Sequence, residues 1–540
     1  MGVIDVDPVK RLREAKARGF QLIVVDPCNT RTAQQADLFL QPFPGQDVPI
    51  LAALLNVILA ENWHDAQFCA AHVGAIGMDR LAGAVAPFLP EAVAVRTGLQ
   101  PDQVRSVAEL FARDGRKSIA FGFTGVNMGP QSNLAAHLLE CLMVVCGGYF
   151  RAGESYRDYI PVAPFVQRRA EVIPPTRWKD QQYSRIRGIS LCGERNSGTL
   201  ADEILTSGEG QIRALVVIGG NLANSVPDQR RIVEALKSLE LLVVVDPFLS
   251  NTARLAGHLL PPRMFYERDD VHLGLHGSTW YPIPMAQYTP ALVPEPPNSE
   301  LANECHVLWG LARRLGATIN YGGYPLDMTA SPASEEVFTR MLAGSVVSFA
   351  ELKAAGGPLV ADDGNGIEVL PPRPATVGTH FDLMPDDVVA ELRETAAAKI
   401  IPGKWISNGE TFSHLLAVRW RPFIYNTQGS SQPDHRGRTP YNAAFSHPDD
   451  IRKIRVMAGD LVTIRSDNGT IHAHVEVDEA VRPGVVSMSY GWGGLPEDDE
   501  GSGPRGASVN RLISDRRDVQ VLNAMPRMTA IPLTIEAVRA

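Results

Sequence analysis

The CxxC pair is missing from this 540-residue chain. Its six cysteines, Cys28, Cys69, Cys141, Cys146, Cys192 and Cys305, are scattered and form no CxxC. That argues against a disulfide framework, a zinc site or an iron–sulfur cluster within these residues, so no metal ligand is assigned. Cys141 and Cys146 lie in the apolar run LLECLMVVC and read as packing thiols, because a free cysteine behaves as a small hydrophobe. No basic run of five residues occurs and the net charge is −9, which argues against a nucleic-acid surface. The longest apolar stretches, LAALLNVILA from Leu51 and CLMVVC from Cys141, are far short of a membrane span, so no membrane insertion is expected. No signal peptide is visible. Nor is there a Ser-His-Asp signature, a Walker loop or a GxGxxG, and no catalytic residue is assigned.

Present instead is a repeat. From Leu22 the chain reads LIVVDPCNTRTAQQADLFL, and from Leu242 it reads LVVVDPFLSNTARLAGHLL. Asp26, Pro27, Thr32, Ala33, Ala36 and Leu40 return at a constant offset of 220 as Asp246, Pro247, Thr252, Ala253, Ala256 and Leu260. Each copy is a β-branched apolar run that stops at Asp-Pro, the pattern of a buried parallel strand. The Asp then falls just past the carboxyl end of its strand, where open α/β sheets bind ligands. Two such ends suit two nucleotide-like groups, or one ligand with two similar arms.

The composition, 45% hydrophobic and 21% charged, is that of an ordinary globular protein, and the length allows three or four domains. Residues 1–155 read as a first α/β domain. Pro8 to Gly19 forms a helix, the first Asp-Pro strand follows, and a helix runs from about Val48 to Asn62. KSIAFGF then reads as a strand that ends in the turn Thr124 to Asn133, before the helix LAAHLLECLMVVC. Residues 156–300 read as a second α/β domain, entered through a Pro- and Arg-rich surface connection that runs to about 205. In it ALVVI is a strand that ends at Gly219-Gly220-Asn221, ahead of the second Asp-Pro strand. Residues 283–298 read as a Pro-rich loop. Residues 301–404 are a helical and linker region, with HVLWGLARRLG a helix and 355–382 a peripheral loop. Residues 405–540 are alternating or β-branched runs, VRWRPFIYNTQG among them, separated by turns, and Asp467-Asn468-Gly469 marks a hairpin in a small β-barrel-like domain.

Asp26 and Asp246 are acceptor-only side chains that suit the donor edge of guanine or a ribose diol. The competing reading is an Asp that caps its own turn. The repeat favours ligand binding. Gly219-Gly220-Asn221 could hold a phosphate or a pterin on backbone N–H groups, or be an ordinary tight turn. His472 and His474 share one face of a strand, where exposed sheet residues are the commoner case than metal ligands. Asp498 to Glu500 is an acidic, solvated loop.

The stretch from LIVVDPCNTRTAQQADLFLQPFPGQDV to AENWHD, IGGNLANSVPD with VVVDPFLSNTARLAGHLLPP, and the end from YNTQG through HPDDIRKIRVMAGDLVTIRSDNG to SVNRLI together resemble the molybdopterin oxidoreductase family. That family includes formate dehydrogenases, periplasmic nitrate reductases and dimethyl-sulfoxide reductases. The resemblance spans nearly the whole chain. It implies two Rossmann-like doubly wound α/β units followed by a C-terminal double-psi β-barrel of six-stranded type. It implies a molybdenum or tungsten ion held by two molybdopterin guanine dinucleotides. One arm would be lined by Asp26, Pro27, Cys28, Asn29 and Thr30 with Gly45, Gln46 and Asp47. Thr124 and Met128 would approach the cofactor near the metal. The other arm would meet Asn221, Val245, Asp246, Arg268 and Glu304. The barrel would cover the pterins with Asn426, Thr427, Gln428, Gly429, Ser430, Trp492, Asn510 and Arg527. The Arg527 fork would meet pyrophosphate oxygens.

Three departures accompany it. Cys28 stands where a basic residue is usual, and Leu222 where a Pro usually follows GGN. The family's four-cysteine 4Fe–4S motif and metal ligand precede the region that matches Val9 to Asp26, so both are expected upstream of these residues. The implied activity is two-electron redox chemistry on a small-molecule substrate, with an electron-transfer subunit or ferredoxin-like partner. The alternatives are a non-catalytic scaffold subunit of a redox complex, or a protein that binds free nucleotides. The expected location is cytoplasmic, or periplasmic if a twin-arginine signal lies upstream.

Overall fold

A computed structural model describes residues 8–113, 118–156, 169–170, 184–189, 195–271, 285–321, 324–345, 347–360, 367–370, 380–421, 424, 426–429, 432–438, 440–498 and 506–538. Ser430 and Cys192 lie outside them. The first α/β unit opens with helix α1 (Pro8–Ala17), strand β1 (Ile23–Val25) and strand β2 (Leu38–Leu40), the two strands paired in parallel. Helix α2 (Asp47–Ala60) is apolar on nearly every face and is the centre of the largest core, which helices α3 (Pro101–Ala112) and α5 (Ser132–Val145) surround. A helix this apolar must be packed on all sides. Cys141 is buried in that core and Cys146 half-buried, and burial pushes each thiol up to about 12. Between α3 and α5 lies the single-turn helix α4 (Thr124–Asn127).

The expected strand KSIAFGF is not one among the described residues. Residues 118–123 keep the alternation of a strand, with Ile119, Phe121 and Phe123 exposed and Ala120 packed on the core, but no neighbouring strand completes a ladder. A strand is defined by its partner, and the side chains alone cannot supply one.

The second unit is a parallel sheet in the order β3 (Ala214–Ile218), β4 (Leu241–Val245), β5 (His258–Leu260). Helices α6 (Leu222–Ser225) and α7 (Gln229–Ser238) lead from β3 to β4, and α8 (Asn251–Leu255) links β4 to β5. Ile232, Val233, Ala235 and Leu236 of α7 bury one stripe against Val217, Leu242 and Val244. The connection before this sheet is less peripheral than expected, because Ile189, Ala201, Asp202, Glu203 and Ile204 are buried. Helix α9 (Glu304–Arg314) follows. The stretches read as loops at 283–298 and 355–382 also carry short ladders: Met285–Ala286 pairs with Leu359–Val360, and Ile367–Val369 with both Ser155–Tyr156 and Arg169–Ala170.

The C-terminal part closes a six-stranded barrel from β6 (His414–Val418), β7 (Ala444–Ser446), β8 (Leu461–Arg465), β9 (Thr470–Val477), β10 (Val485–Met488) and β11 (Ile531–Ala537). Their order around the barrel is β6-β10-β7-β9-β8-β11, with parallel pairs β6–β10 and β7–β9. Closure leaves no free edge. Ile471, Ala473 and Val475 face the barrel core, while His472 and His474 share the opposite face. Asp467-Asn468-Gly469 is the hairpin between β8 and β9. VRWRPFIYNTQG does not continue β6, which ends at Val418.

Candidate functional site

The repeat in the sequence is a repeat in the backbone. Ile23, Val24 and Val25 pair with Leu38, Phe39 and Leu40, and Val243, Val244 and Val245 pair with His258, Leu259 and Leu260, every position shifted by the same 220. The Asp26 amide donates to Leu40 O at 3.1 Å, and the Asp246 amide to Leu260 O at 3.3 Å. Asp26 Oδ1 accepts from Cys28 N at 2.7 Å, and Asp246 Oδ1 from Phe248 N at 2.9 Å. Each Asp therefore does cap its own turn with one carboxylate oxygen, and a carboxylate has further acceptor capacity besides. The capping and binding readings are compatible, since the cap fixes the carboxylate at the carboxyl edge of the sheet.

The first strand end is seated on the barrel. Cys28 bridges to Val481, Asn29 N donates to Ala480 O at 2.8 Å, and Arg482 N donates to Pro27 O at 3.3 Å. Thr30 Oγ1 accepts from Ala33 N. Burial raises the Asp26 carboxyl above its ordinary range, against the Cys28 amide and Arg419, which pull it down. Burial likewise pushes the Cys28 thiol up to about 11. Gly45 has φ +75°, and a Cβ there would lie 2.7 Å from Ala530 Cβ and 2.9 Å from Pro130 Cδ, so only glycine lets these three segments converge. Gln46 Oε1 accepts from Arg96 Nε. Asp47 occupies the first turn of α2, where the helix dipole favours a carboxylate although burial raises its pKa. Thr124 begins α4, and Met128 reaches the barrel: its carbonyl accepts from Met528 N and Thr529 N, and its side chain packs on the barrel core.

The second strand end sets Asn221, Val245 and Asp246 at the carboxyl edge of the sheet. Asn221 follows β3, and its Oδ1 accepts from Thr252 N at 3.2 Å and Thr252 Oγ1 at 3.0 Å. Gly219 has φ +64°, and a Cβ there would meet nothing within 4 Å, so this turn leaves open space beside it. Val245 is buried and its carbonyl accepts from Gly219 N. Beyond β5 the chain runs beside Ala302, which brings Arg268 and Glu304 into an ion pair at 3.2 Å.

In the barrel, Asn426 has φ +54° and its Oδ1 accepts from Tyr490 Oη. Thr427, Gln428 and Gly429 continue that loop, and Gly491 must be glycine because a Cβ would sit 2.2 Å from Asn426 O. Trp492 and Asn510 are buried. Arg527 turns its fork onto its own chain, to Asp518 Oδ2, Thr529 O and Ala530 O.

An asparagine cluster that sequence reasoning missed joins the second unit to the barrel. Asn224 Nδ2 donates to Trp492 O at 2.8 Å and Gly493 O at 3.0 Å. Asn510 Nδ2 donates to Asn224 O at 2.8 Å and Val226 O at 3.2 Å, and Asn251 Nδ2 to Asn224 Oδ1 at 2.6 Å. Arg511 Nε reaches Gln229 Oε1 at 2.6 Å. Asn224 carried a weak signal, a second amide three residues after Asn221. Arg482 was also missed: it stacks on Phe43 at 4.2 Å and donates to Gln41 O and Gly98 O. Asp498 is paired with Arg254. Among the described residues no group of three or more His, Cys, Asp or Glu could hold a metal ion, and no helix is long and apolar enough to cross a membrane.

Comparison with known proteins matches this geometry to one family. The family description Molybdopterin oxidoreductase matches residues 4–287, and Molydopterin dinucleotide binding domain matches residues 414–528. The F420-dependent formate dehydrogenase subunit alpha of Methanocaldococcus jannaschii is 24% identical over 499 residues, covering 89% of this chain and 69% of that protein. A nitrate reductase of Symbiobacterium thermophilum is 28% identical over 360 residues, covering 62% of this chain and 45% of its own length. The structure of acetylene hydratase from Pelobacter acetylenicus has a TM-score of 0.74 at 18% identity, covering 98% of this chain and 76% of that one, and shows the shared fold. This chain spans between about two fifths and two thirds of the first relatives it matches. It belongs to the molybdopterin oxidoreductase family and carries that family's dinucleotide-binding domain.

Proposed function

We propose that this chain is the cofactor-holding part of the large catalytic subunit of a molybdenum or tungsten bis(molybdopterin guanine dinucleotide) oxidoreductase. The observation that carries the reading is a set of buried polar atoms without partners among the described residues. Trp492 Nε1, Asn510 Oδ1 and Arg268 Nε are such atoms, and all three belong to residues expected at the cofactor. A buried polar group left without a partner costs about 1–3 kcal/mol, so a ligand that reached Trp492 and Asn510, which Asn224 links, or Arg268 would recover that cost there. They suit a large polar ligand: an indole N–H donor, an amide acceptor and a guanidinium N–H.

Asp26 and Asp246 would accept the guanine edges of the two arms. Pro27 to Thr30 with Gly45, Gln46 and Asp47 would flank the first arm, and Asn221, Val245, Arg268 and Glu304 the second. Thr124, Met128, Asn426 to Ser430, Trp492, Asn510 and Arg527 would close over the pterins. When bound, the cofactor supplies two-electron redox chemistry, and the protein supplies orientation, exclusion of water and electrostatics. Arg527 would have to exchange its present carbonyl partners for pyrophosphate oxygens.

The relatives' names span dehydrogenases, reductases and a hydratase, so substrate is not inherited by kinship. The metal ligand, a 4Fe–4S cluster and an electron-transfer partner belong, in this reading, to polypeptide beyond these residues. The location we propose is cytoplasmic, or periplasmic with an upstream twin-arginine signal.

The test is metal analysis with acid release of guanine nucleotide, on protein expressed with its upstream DNA. Near-stoichiometric molybdenum or tungsten with two GMP per chain supports the enzyme. Neither metal nor nucleotide sinks it in favour of a scaffold subunit.

A further inference from the structure

The first strand end, Asp26 to Thr30, contains no basic residue, and in the second copy Phe248 stands at the place of Cys28. A dinucleotide arm is anionic at its pyrophosphate, so each arm calls for a cation from outside the repeated turn. For the second arm the candidate is Arg268, which pairs with Glu304 at 3.2 Å and lies 5.7 Å from the centre of the Phe265 ring. The barrel holds a matching set beside the first arm. Arg419 follows β6, and its amide donates to Met488 O at 2.9 Å. Its guanidinium pairs with Asp478 at 2.7 Å and lies 4.4 Å from the centre of the Phe445 ring in β7. Asp478 joins this cation to the strand end. One of its oxygens accepts from Arg419, and the other from Ala480 N at 3.0 Å. Ala480 O in turn accepts from Asn29 N at 2.8 Å and from Gln41 Nε2 at 3.1 Å. The carboxylate that holds Arg419 thus also shapes the turn on which the first strand end sits. Burial raises the Asp26 carboxyl and the Cys28 thiol, and the Arg419 charge pulls both back down, so that charge is felt at the strand end. Arg421 shares the Phe445 ring at 5.1 Å, but it donates to Tyr441 O and feels Glu476. Arg31, the nearest basic residue in sequence, is exposed.

We propose that Arg419, held in place by Asp478, binds the phosphate groups of the first arm and so supplies from the barrel the charge that position 28 lacks. The assignment deepens the cofactor reading and rests on it. A guanidinium carries five N–H groups, so it can hold a carboxylate and an oxyanion together. The work at the first strand end is then divided. Asp26 in the α/β unit accepts the donors of the nucleoside, and Arg419 in the barrel meets the anion. Asp478 is a positioning residue, since it sets both Arg419 and the turn under Asn29.

The test is equilibrium binding of GDP and of guanosine to the 540-residue chain carrying Asp246→Ala, which weakens the second site and leaves the first to be read. GDP should bind at least about tenfold more tightly than guanosine, the size of one charge-assisted contact. Adding Arg419→Met should remove that gap while guanosine affinity stays within about twofold, and Arg419→Lys should restore part of it. Arg31→Met should leave the gap intact. In protein expressed with its upstream DNA, acid should release two GMP per chain from the parent and about one from Arg419→Met. No gap before Arg419 is changed, a gap that survives Arg419→Met, or a gap that Arg31→Met removes instead would each overturn the assignment. Two GMP from parent and Arg419→Met alike would overturn it and leave the cofactor reading standing, whereas none from the parent would overturn both.

Discussion

The two Asp-Pro units are the same device held in different ways. The first is pressed onto the barrel: Cys28, Asn29 and Pro27 bond to the 480–482 turn, and Arg482 clamps Gln41 and Gly98. The second is tied to the barrel from behind, through Asn224 and Asn510, and its Asp246 loop carries exposed Phe248 and Leu249. A repeated strand end thus keeps its carboxylate geometry while its surroundings are free to differ. What the repeat preserves is the Asx turn, which is local. What it does not preserve is the support, which comes from residues hundreds of positions away.

The largest expected effect breaks the second unit's tie. Asn224→Leu removes the donors to Trp492 O and Gly493 O and leaves several buried groups unpaired, so it should cost on the order of 3 kcal/mol, read by urea unfolding. A loss under about 1 kcal/mol would mean that the cluster is not what joins the two parts. Next comes Gly45→Ala in the first unit, where a Cβ meets Ala530 and φ is positive, with a cost of about 2 kcal/mol. Equal stability would show that the three segments can spread apart freely.

A pH series sharpens the contrast at Asp26. Its folded pKa is raised by burial, so the folded state holds the proton more firmly than the unfolded state does. The ionised carboxylate therefore weakens the fold as pH rises through and above the carboxylate range. Asp26→Asn should accordingly gain on the parent between acid and neutral pH, and match it at low pH. A pH-independent difference would contradict the burial account. The smallest effect is Asp498→Asn, which removes a partly exposed pair with Arg254 and should change stability by less than about 1 kcal/mol.

Local order was the legible part. The helices at α1, α2, α5 and α9, the strands ending at Asp26, Asp246 and Gly219, and the hairpin at Asn468-Gly469 all follow from periodicity and turn chemistry. The misses share a physical cause. KSIAFGF has a strand's alternation without a neighbour to pair with, and the Asn224–Asn510 cluster joins side chains nearly three hundred residues apart. Arg527 looked like a free fork because a sequence does not show that the Ala530 carbonyl lies within reach. The 220-residue repeat was the exception among long-range features, since two copies of one solution can be read without knowing where either sits.

The central claim is that Asp26 and Asp246 anchor two arms of one cofactor. It is tested most directly by guanine nucleotide content in protein expressed with its upstream DNA, comparing parent with Asp246→Ala. The account predicts two nucleotides per chain in the parent and a clear fall in the variant, with the variant still folded by circular dichroism. Unchanged loading in folded Asp246→Ala protein would contradict it.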